Sequence, residues 1–529
     1  MKKIIAFCLV LIMTITMLSA CGGTDPQNEG GAGTGTTTAG GAGTGAGGGA
    51  TVEPAEGRNT LVVGMTGDIG TFNPHVTTLM IEFRILQNIF DAMVRTHPIT
   101  AEIMPQLAES WTVSDDGLVY TFNLRQDVTF HNGDAFNAYN ILGNFEIWQT
   151  SLNSTRLRDL VYDVRVIDEF TVEMVLNEPS ALFLTFLGDQ AIVHDRVLQE
   201  DPALFSERPV GTGAYKLTNR HIGASIELTR FEDHFRGPAD IEVVEIRILP
   251  DANTLAVALE MGEIDYAEGI LPASVPLLQA VDHLDVNIIQ GIQVTFLGFN
   301  VERAPFDDIR VRQAVAHAID RQMIIDMALE GFGTPTHITH IDAMPFRPVG
   351  YPVFEFNPDR ARELLAEAGF PNGLVLDEPL LTAPWSSASA QIVQNLLAMS
   401  GIEVEVAVME HAAMSPLTID GDYLISISGW NSTSLHPELF VQLYRSGNIG
   451  SINHPRYSNP RVDELADLAI LTSDPAEVQE IYNELFYIIT YEAPRVPINV
   501  NAAIIAQNSN LEVRSLNSIS NTYFNMSWR

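Results

Sequence analysis

The sequence predicts an α/β fold with a β-richer insertion. After Phe296, apolar stretches of strand length alternate with capped segments of helical period. Between about residues 95 and 190, turn pairs such as Asp116-Gly117 and Asn132-Gly133 separate short alternating stretches, a pattern typical of hairpins. No repeat of solenoid period interrupts this order. We therefore expect layers of helices and sheets with a hairpin-rich segment inserted into them.

The N-terminus predicts a cleaved export signal followed by a lipidation site. Two lysines precede an apolar run over residues 4–18, and Leu18-Ser19-Ala20-Cys21 matches the lipobox of bacterial lipoproteins. The run is too short to cross a bilayer comfortably, which favours a signal peptide over residues 1–21. Cys21 would then be the first residue and would carry the lipid. The alternative is a retained anchor helix with an incidental cysteine.

Residues 22–57 predict a flexible stalk. They are almost entirely Gly, Thr and Ala, with too little apolar surface to offset the entropy of ordering. A flexible coil of this length reaches about 30 to 35 Å root-mean-square, and a folded body should start near Arg58. That body contains no cysteine, because Cys8 leaves with the signal and Cys21 carries the lipid. Disulfides and thiolate chemistry are therefore excluded from it.

Composition limits what the body can do. It has about 470 residues, enough for two or three domains. Acidic residues outnumber basic ones 66 to 29, for a formal net charge of −37, and because such a surface repels phosphate backbones we expect no nucleic-acid partner. The sequence has no HExxH, GxxxxGK or GxSxG motif, so we expect neither a cofactor nor an enzyme. A surface hydrolase remains the rival class, since sequence does not show whether two carboxylates face a cleft.

Four helix starts carry capping residues. Asn357-Pro358, Asn459-Pro460 and Asp474-Pro475 each precede apolar residues at helical spacing, and Asp307 or Asp308 precedes a further stripe. These stripes predict core-facing helices with no cofactor role.

The strand-like stretches fall into two kinds. Residues 120–124 and 172–176 alternate between apolar and polar, which predicts half-buried strands. Residues 61–63 and 404–408 are continuously apolar or nearly so, which predicts more fully buried strands.

A set of short motifs follows the body in a fixed order. They are Met104-Pro-Gln-Leu-Ala-Glu-Ser-Trp111, Tyr120-Thr-Phe-Asn-Leu-Arg125, Phe130-His-Asn-Gly-Asp134, Pro209-Val-Gly-Thr-Gly-Ala-Tyr215, Phe299-Asn300, Ala304-Pro-Phe306, Asp308-Ile-Arg-Val-Arg-Gln-Ala-Val315, Ala318-Ile-Asp-Arg321 and the helix over 357–369. In this order and spacing, the chain resembles the extracellular solute-binding proteins of family 5, which serve ATP-driven importers of peptides, nickel chelates and related solutes. The resemblance runs from about Leu61 to the C-terminus.

The resemblance implies a two-lobe, periplasmic-binding-protein-like clamp of class II type with an extra β-rich subdomain on lobe I. The chain would cross between lobes near residues 295–301 and 495–501, which places Thr295 and Asn499 beside the ligand. The implied boundaries are lobe I over 58–94, 191–296 and 498–529, the inserted subdomain over 95–190, and lobe II over 297–497.

The resemblance also implies a pocket around Gly429-Trp430-Asn431. In the family a Gly-Trp pair is followed three residues later by an Asp that binds the free amino group of a peptide, and Thr433 stands there in this chain. Trp430 is expected to be a stacking platform. On the first lobe, Asp68, Thr71 and Phe72 are expected to contribute from the loop after the first strand.

His411 and His436 are two further pocket candidates. His411 stands where relatives often have Trp, and His436 where Asp often precedes Pro. Two neutral imidazoles at one pocket could bind a nickel or copper chelate. The simpler alternative is that each histidine forms local hydrogen bonds or faces solvent.

Together these observations predict the substrate-binding lipoprotein of an ABC importer. It would capture a peptide or peptide-like small solute between two lobes and deliver it to a membrane permease. We expect a monomer, anchored through Cys21 on the outer face of the cytoplasmic membrane of a Gram-positive cell. The alternatives are a receptor for metal chelates or other non-peptide solutes, and a secreted hydrolase.

Thr433 makes the amino end of the ligand testable. A hydroxyl does not replace a carboxylate that pairs with an ammonium group, so Thr433→Asp should strengthen binding of free-amino peptides over N-acetylated ones by about 1.5 to 3 kcal/mol. Titration calorimetry with matched peptide pairs measures the difference. Tight binding of free-amino peptides by the unmodified protein, lost on acetylation, would show that another acid does this work.

Overall fold

Helices and strands alternate along the folded body, as the sequence predicts. The computed structural model describes residues 58–77, 80–97, 102–151, 154–180, 182–431, 436–472, 474–514, 516–517 and 521–529. All of these belong to one contact unit, Val52–Arg529.

The strands are mostly short, with two exceptions of 14 and 16 residues. They are β1 (Thr60–Met65), β2 (Val94–Thr96), β3 (Ile103–Pro105), β4 (Ala108–Val113), β5 (Val119–Leu124), β6 (Val161–Asp168), β7 (Thr171–Leu176), β8 (Tyr215–His221), β9 (Ser225–Arg230), β10 (Val243–Ile248), β11 (Tyr266–Glu268), β12 (Leu284–Phe299), β13 (Gly333–Pro335), β14 (Leu374–Val375), β15 (Leu380–Thr382), β16 (Ile402–Glu403), β17 (Val406–Val408), β18 (Ile425–Asn431), β19 (Arg495–Asn508), β20 (Leu511–Val513) and β21 (Met526–Trp528).

The helices cover the sheets and fill the connections. They are α1 (Met80–Ile89), α2 (Ala138–Trp148), α3 (Thr155–Leu160), α4 (Phe183–Gly188), α5 (Asp195–Glu200), α6 (Pro202–Phe205), α7 (Ala252–Glu260), α8 (Val275–Gln279), α9 (Ile309–Ala318), α10 (Arg321–Ala328), α11 (Pro358–Glu367), α12 (Ser387–Met399), α13 (His411–Asp420), α14 (Glu438–Val441), α15 (Pro460–Leu471) and α16 (Pro475–Glu492). Among these helices of the described ranges, none combines the length and apolar character needed to cross a membrane.

One mixed sheet organises the body. Its strand order is β17-β15-β18-β12-β19-β11-β1-β10-β9-β8, with β13 paired to β19. The long strands β12 and β19 run antiparallel through its middle, from the pair Leu284 and Asn508 to the pair Gly298 and Arg495. Register shifts interrupt this ladder between Gln290 and Val294 and again beside Thr295. Both predicted lobe crossings therefore lie on one strand pair.

A separate four-stranded antiparallel sheet, in the order β4-β5-β7-β6, forms the hairpin-rich insertion. It has its own apolar core, formed from residues between Met93 and Ile192. The other cores gather residues from both ends of the chain, as where Leu61 of β1 and Met526 of β21 pack in one cluster. The lobe boundaries given above remain a prediction.

The structure confirms the four predicted helix caps. The side chains of Asn357, Asn459 and Asp474 accept hydrogen bonds from backbone N–H groups of α11, α15 and α16. Asp308, not Asp307, caps α9 by accepting from Arg310 N at 2.8 Å. α11 ends before Gly369, which has a left-handed φ of 101°, the conformation that terminates helices most easily with glycine.

The strand predictions are confirmed with one correction. β5 and β7 alternate in burial and pair antiparallel, and β1 is buried over most of its length. The prediction of a buried strand over residues 404–408 is wrong in part. β17 covers only 406–408, and Val408 is 51% exposed. In the described ranges β17 is the outermost strand of the main sheet and pairs with a neighbour, β15, on one side only.

α14 begins with a buried carboxyl group. The Glu438 side chain is 1% exposed. Its Oε1 accepts a hydrogen bond from Gln442 and lies 3.4 Å from Arg445 Nε, while Oε2 has no hydrogen-bond partner in the described part of the chain. Burial raises the pKa of Glu438 to about 7, and Arg445 offsets only part of that effect. The folded protein therefore favours the neutral acid at this position.

This carboxyl should make stability fall as pH rises. The unfolded chain loses the proton near the ordinary pKa of 4.5, whereas the folded state retains it up to about 7, so Glu438 costs stability progressively across that window. As the pH rises from about 5 to about 8, the unfolding free energy of Glu438→Gln minus that of the unmodified protein should increase by on the order of 1 to 3 kcal/mol. Urea titration at each pH measures this difference.

The matched control is Glu200→Gln, at an exposed position near the end of α5. The unfolding free energy of this variant should depend on pH in the same way as that of the unmodified protein. If Glu438→Gln also runs parallel to the unmodified protein, the buried carboxyl is already ionised in the folded state.

Candidate ligand-binding site

A cavity of about 1220 Å³ lies against the middle of the main sheet. One part of its wall comes from α1 and the segment after it, from α3 and from α4. The opposite part comes from the end of β18, from α13, and from residues 451–454 with the first residue of β19. Segments from the N-terminal part of the chain (α1, α3 and α4) and from its C-terminal part (β18, α13 and residues 451–454) therefore line one space.

Trp430 stands on the wall formed by β18. It pairs with Val294 of β12, two residues beyond the pair of Ser428 and Phe296. Because strand side chains alternate, Ser428 and Trp430 share a face, and both line the cavity. Gly429 lies between them, and a Cβ there would be 2.9 Å from Gln293 Nε2.

Four of the residues expected at the pocket line this cavity. They are Gly429, Trp430, Asn431 and His411. Trp430 is half-buried, as a ring that offers one face to a ligand must be, whereas His411 is exposed at the start of α13. Thr433 lies outside the described residues, as does Cys21.

His436 is held by its own surroundings and does not line the cavity. Its ring lies 6.4 Å from that of Phe346 and 6.3 Å from that of Tyr482. Its Nδ1 accepts a hydrogen bond from Glu438 N at 3.2 Å, and burial lowers the pKa of His436 to about 3. Within the described ranges no group of three or more His, Cys, Asp or Glu side chains is placed to hold a metal ion.

The three first-lobe candidates stabilise their own loop. The Asp68 carboxylate accepts from Gly223 N at 2.7 Å, and Thr71 Oγ1 accepts from Asn73 N at 3.0 Å. Phe72 is fully buried, with the Arg220 guanidinium 5.3 Å from its ring centre. The same loop reaches the cavity two residues later, at Pro74 and His75.

The two hinge candidates lie behind the cavity wall. Thr295 and Asn499 pair across β12 and β19 and are both buried. Thr295 Oγ1 donates to Asn501 Oδ1 at 3.4 Å, and Asn499 Nδ2 donates to the same oxygen. Asn501 in turn donates to Gln293, which lines the cavity. Thr295 and Asn499 are therefore two hydrogen bonds away from the cavity lining, through Asn501 and Gln293.

Charged side chains of the cavity are the feature that sequence reasoning missed. Its lining includes four arginines and two aspartates, Arg95, Arg156, Arg236, Arg495, Asp91 and Asp189. This balance is opposite to that of the chain, whose formal net charge is −37. One signal is visible in the sequence: Arg495 is a charged residue at the start of the apolar segment 495–501, where the resemblance implies a crossing between lobes.

Asp91 has polar and charged neighbours that stabilise its carboxylate. Thr212 Oγ1 donates to its carboxylate at 3.0 Å, and His234 and Arg236 lie 3.6 and 4.0 Å away. Burial alone would raise the pKa of Asp91, but the nearby His234 and Arg236 and the hydrogen bond from Gln106 hold it below its ordinary value. This aspartate is therefore an ionised group of the wall with Arg236 as its cationic neighbour.

Two of the histidines that line the cavity, His75 and His454, add no positive charge near neutral pH. Burial and the nearby Arg495 guanidinium lower the pKa of His454 to about 4, and burial lowers that of His75 to about 4. The four arginines, by contrast, carry a permanent positive charge.

Comparisons with known proteins agree with this architecture. The family model described as bacterial extracellular solute-binding proteins, family 5 Middle, matches residues 102–451. Heme-binding protein A of Haemophilus influenzae is 29% identical over 455 residues, covering 78% of this chain and 81% of that protein. Glutathione-binding protein GsiB of Escherichia coli O1:K1 is 29% identical over 427 residues, covering 77% and 82%.

A solved structure shows the same fold. It is the ABC transporter-associated periplasmic binding protein DppA from Helicobacter pylori in complex with the peptide STSA, with a TM-score of 0.79 and 26% sequence identity, covering 89% of this chain and 98% of that one. This likeness confirms the two-lobe α/β clamp. With the family model matching well over half of its length, the chain belongs to the bacterial extracellular solute-binding proteins of family 5.

Proposed function

We propose that this protein is the substrate receptor of an ABC importer and captures a peptide or peptide-like small solute. The observation that carries the proposal is the cavity of about 1220 Å³ lined by segments from the N-terminal and the C-terminal parts of the chain. Small-molecule sites usually occupy about 300 to 1,000 Å³. A space somewhat larger than this suits a solute of several residues.

The cavity wall suits a peptide-like ligand chemically. Apolar rings such as Phe83, Trp430 and Phe524 alternate with amide and hydroxyl groups such as Gln293 and Ser428. Rings supply contact area, and a few placed polar groups fix the ligand's orientation. The relatives named above bind heme, glutathione and the peptide STSA, and the last two support a peptide-like class.

We infer that the two lobes close around the ligand by bending near β12 and β19. The proposed lobes keep the boundaries 58–94, 191–296 and 498–529 for the first, 95–190 for its inserted subdomain and 297–497 for the second. A ligand that contacts both lobes stabilises the closed form and presents it to the permease. Thr295 and Asn499 would act at the bending point as positioning residues.

A metal-chelate receptor is the less favoured alternative. Of the two histidines that suggested it, only His411 lines the cavity, while His436 is occupied by local contacts. The protein would therefore have to recognise the organic part of a chelate. A surface hydrolase has no support from the family, whose described role is solute binding.

Ligand capture is tested by thermal shift and small-angle scattering on the purified body. The probes are glutathione, the peptide STSA, their amidated forms, a sugar panel and nickel-histidine. A ligand at about a hundred times its dissociation constant should add about 2.7 kcal/mol of stability, and the radius of gyration should fall on saturation. Unchanged dimensions at proven saturation would contradict closure, and stabilisation by sugars alone would contradict the solute class.

We also propose that Cys21 carries a lipid that tethers the protein to the outer face of the cytoplasmic membrane. The support is the lipobox and the Gly-rich stalk of residues 22–57. A long stalk with one anchor suits a Gram-positive surface, although the curated relatives named above come from Haemophilus and Escherichia and do not support that origin. A monomer is expected, since one anchored copy provides one complete cavity.

Cys21→Ser should abolish membrane fractionation. The thiol is the only atom in the proposed site that can accept the thioether-linked lipid, so the variant should release the protein without changing its unfolding temperature. Membrane fractionation with labelled fatty acid measures the loss. Retention of label and membrane association in the variant would show that the lipobox assignment is wrong.

A further inference from the structure

Arg495 differs from the other arginines of the cavity in its burial. Its side chain lines the cavity, yet the residue is only 3% exposed. Arg236 lies 4.0 Å from Asp91, and Arg95 and Arg156 are only partly buried. No carboxylate in the described ranges forms an ion pair with Arg495. A guanidinium is always ionised in proteins, so this wall carries a buried and uncompensated charge.

Two other buried arginines show what a satisfied guanidinium looks like in this fold. Arg312 donates to the carbonyls of Glu492 at 2.8 Å and Phe306 at 2.7 Å. Arg321 donates to the carbonyls of Thr336, Pro497 and Phe354 at 3.0, 2.9 and 3.1 Å. Both are 6% exposed and neither lines the cavity. Their hydrogen bonds identify them as structural arginines.

Among the residues that the structure describes, Arg495 has one hydrogen-bond acceptor. Its Nη2 donates to Ile452 O at 3.0 Å, and its Nε is buried without a partner in the part of the chain that the structure describes. The neighbouring phenols, Tyr423 and Tyr444, are neutral because burial raises the pKa of each. Several N–H groups of this guanidinium are thus left without an acceptor.

An aromatic ring beneath Arg495 limits which part of its guanidinium a ligand can contact. The guanidinium carbon lies 4.5 Å from the centre of the Phe296 ring and 5.9 Å from that of Tyr444. Across the sheet it faces Gly298, where an added Cβ would make an ordinary van der Waals contact with Nη1, at 3.9 Å. A guanidinium with its face on a ring still has its edge available, and that edge matches the two oxygens of a carboxylate.

We propose that Arg495 binds a carboxylate group of the captured solute, on the cavity wall that also carries Phe296 and Trp430. The inference rests on the proposed function, since it assigns one end of the solute in the same cavity. A bound carboxylate accepts the unused N–H groups and compensates the buried charge. The preferred solutes therefore carry a free terminal or side-chain carboxylate.

The first test needs no knowledge of the natural ligand. Acetate is small enough to reach the site alone, so sodium acetate should raise the unfolding temperature of the whole protein above its value in sodium chloride of equal ionic strength. Arg495→Met should lose this difference and Arg495→Lys should retain part of it. Inorganic phosphate is the third salt, and an Arg495-dependent effect of phosphate without one of acetate would overturn the carboxylate class.

The second test compares peptides with free and amidated C-termini, both N-acetylated. The free acid should bind about 10- to 100-fold more tightly to the unmodified protein, and this ratio should fall to about one in Arg495→Met. An unchanged ratio in that variant would overturn the proposal. If neither peptide binds, the peptide-like solute class of the proposed function fails, while the acetate measurement still decides the role of Arg495.

Stability of the ligand-free protein separates binding from structure. Removing an uncompensated buried charge should leave the unfolding temperature of Arg495→Met at or above that of the unmodified protein, whereas Arg321→Met should lower it by several degrees because three carbonyls lose their donor. If Arg495→Met is as destabilised as Arg321→Met, Arg495 is a structural residue and the proposal is wrong.

Discussion

The antiparallel pairing of β12 with β19 is the constraint on which the rest of the structure depends. These strands carry the middle of the main sheet, with β18 on one side and β11 on the other. β18, whose end carries Trp430 on the cavity wall, pairs directly with β12. The two strands are about 200 residues apart in sequence. Their register therefore depends on long-range tertiary contacts and cannot be predicted from any local segment.

That separation explains what the sequence predicts well and what it does not. Local sequence is enough to predict the helix starts at Asn357 and Asp474. It is also enough to predict the alternating burial in β5 and β7, because each of these features depends on a few neighbouring residues. Trp430 was recognisable because its Gly-Trp pair is a short motif. Phe72, expected to contribute to the pocket from its loop, is fully buried, and only tertiary packing shows that the loop reaches the cavity at Pro74 and His75.

Arg495 illustrates the same limit for electrostatics. Its sequence neighbours are apolar, and only the pairing with Gly298 and the ring of Phe296 shows where its guanidinium lies. Composition predicts an acidic surface correctly as an average, yet the cavity has more arginines than aspartates. Net charge is a property of the whole surface, whereas recognition depends on the few charges in a space that water enters poorly.

The register shifts in the β12 and β19 ladder have a mechanical consequence. Between Gln290 and Val294, β12 uses four residues where β19 uses two, and a second shift follows at Thr295. Bulges of this kind bend and twist a strand pair and interrupt its regular hydrogen bonds. The strand pair is therefore bent most easily between Gln290 and Phe296, while the ladder on either side keeps its regular pairing.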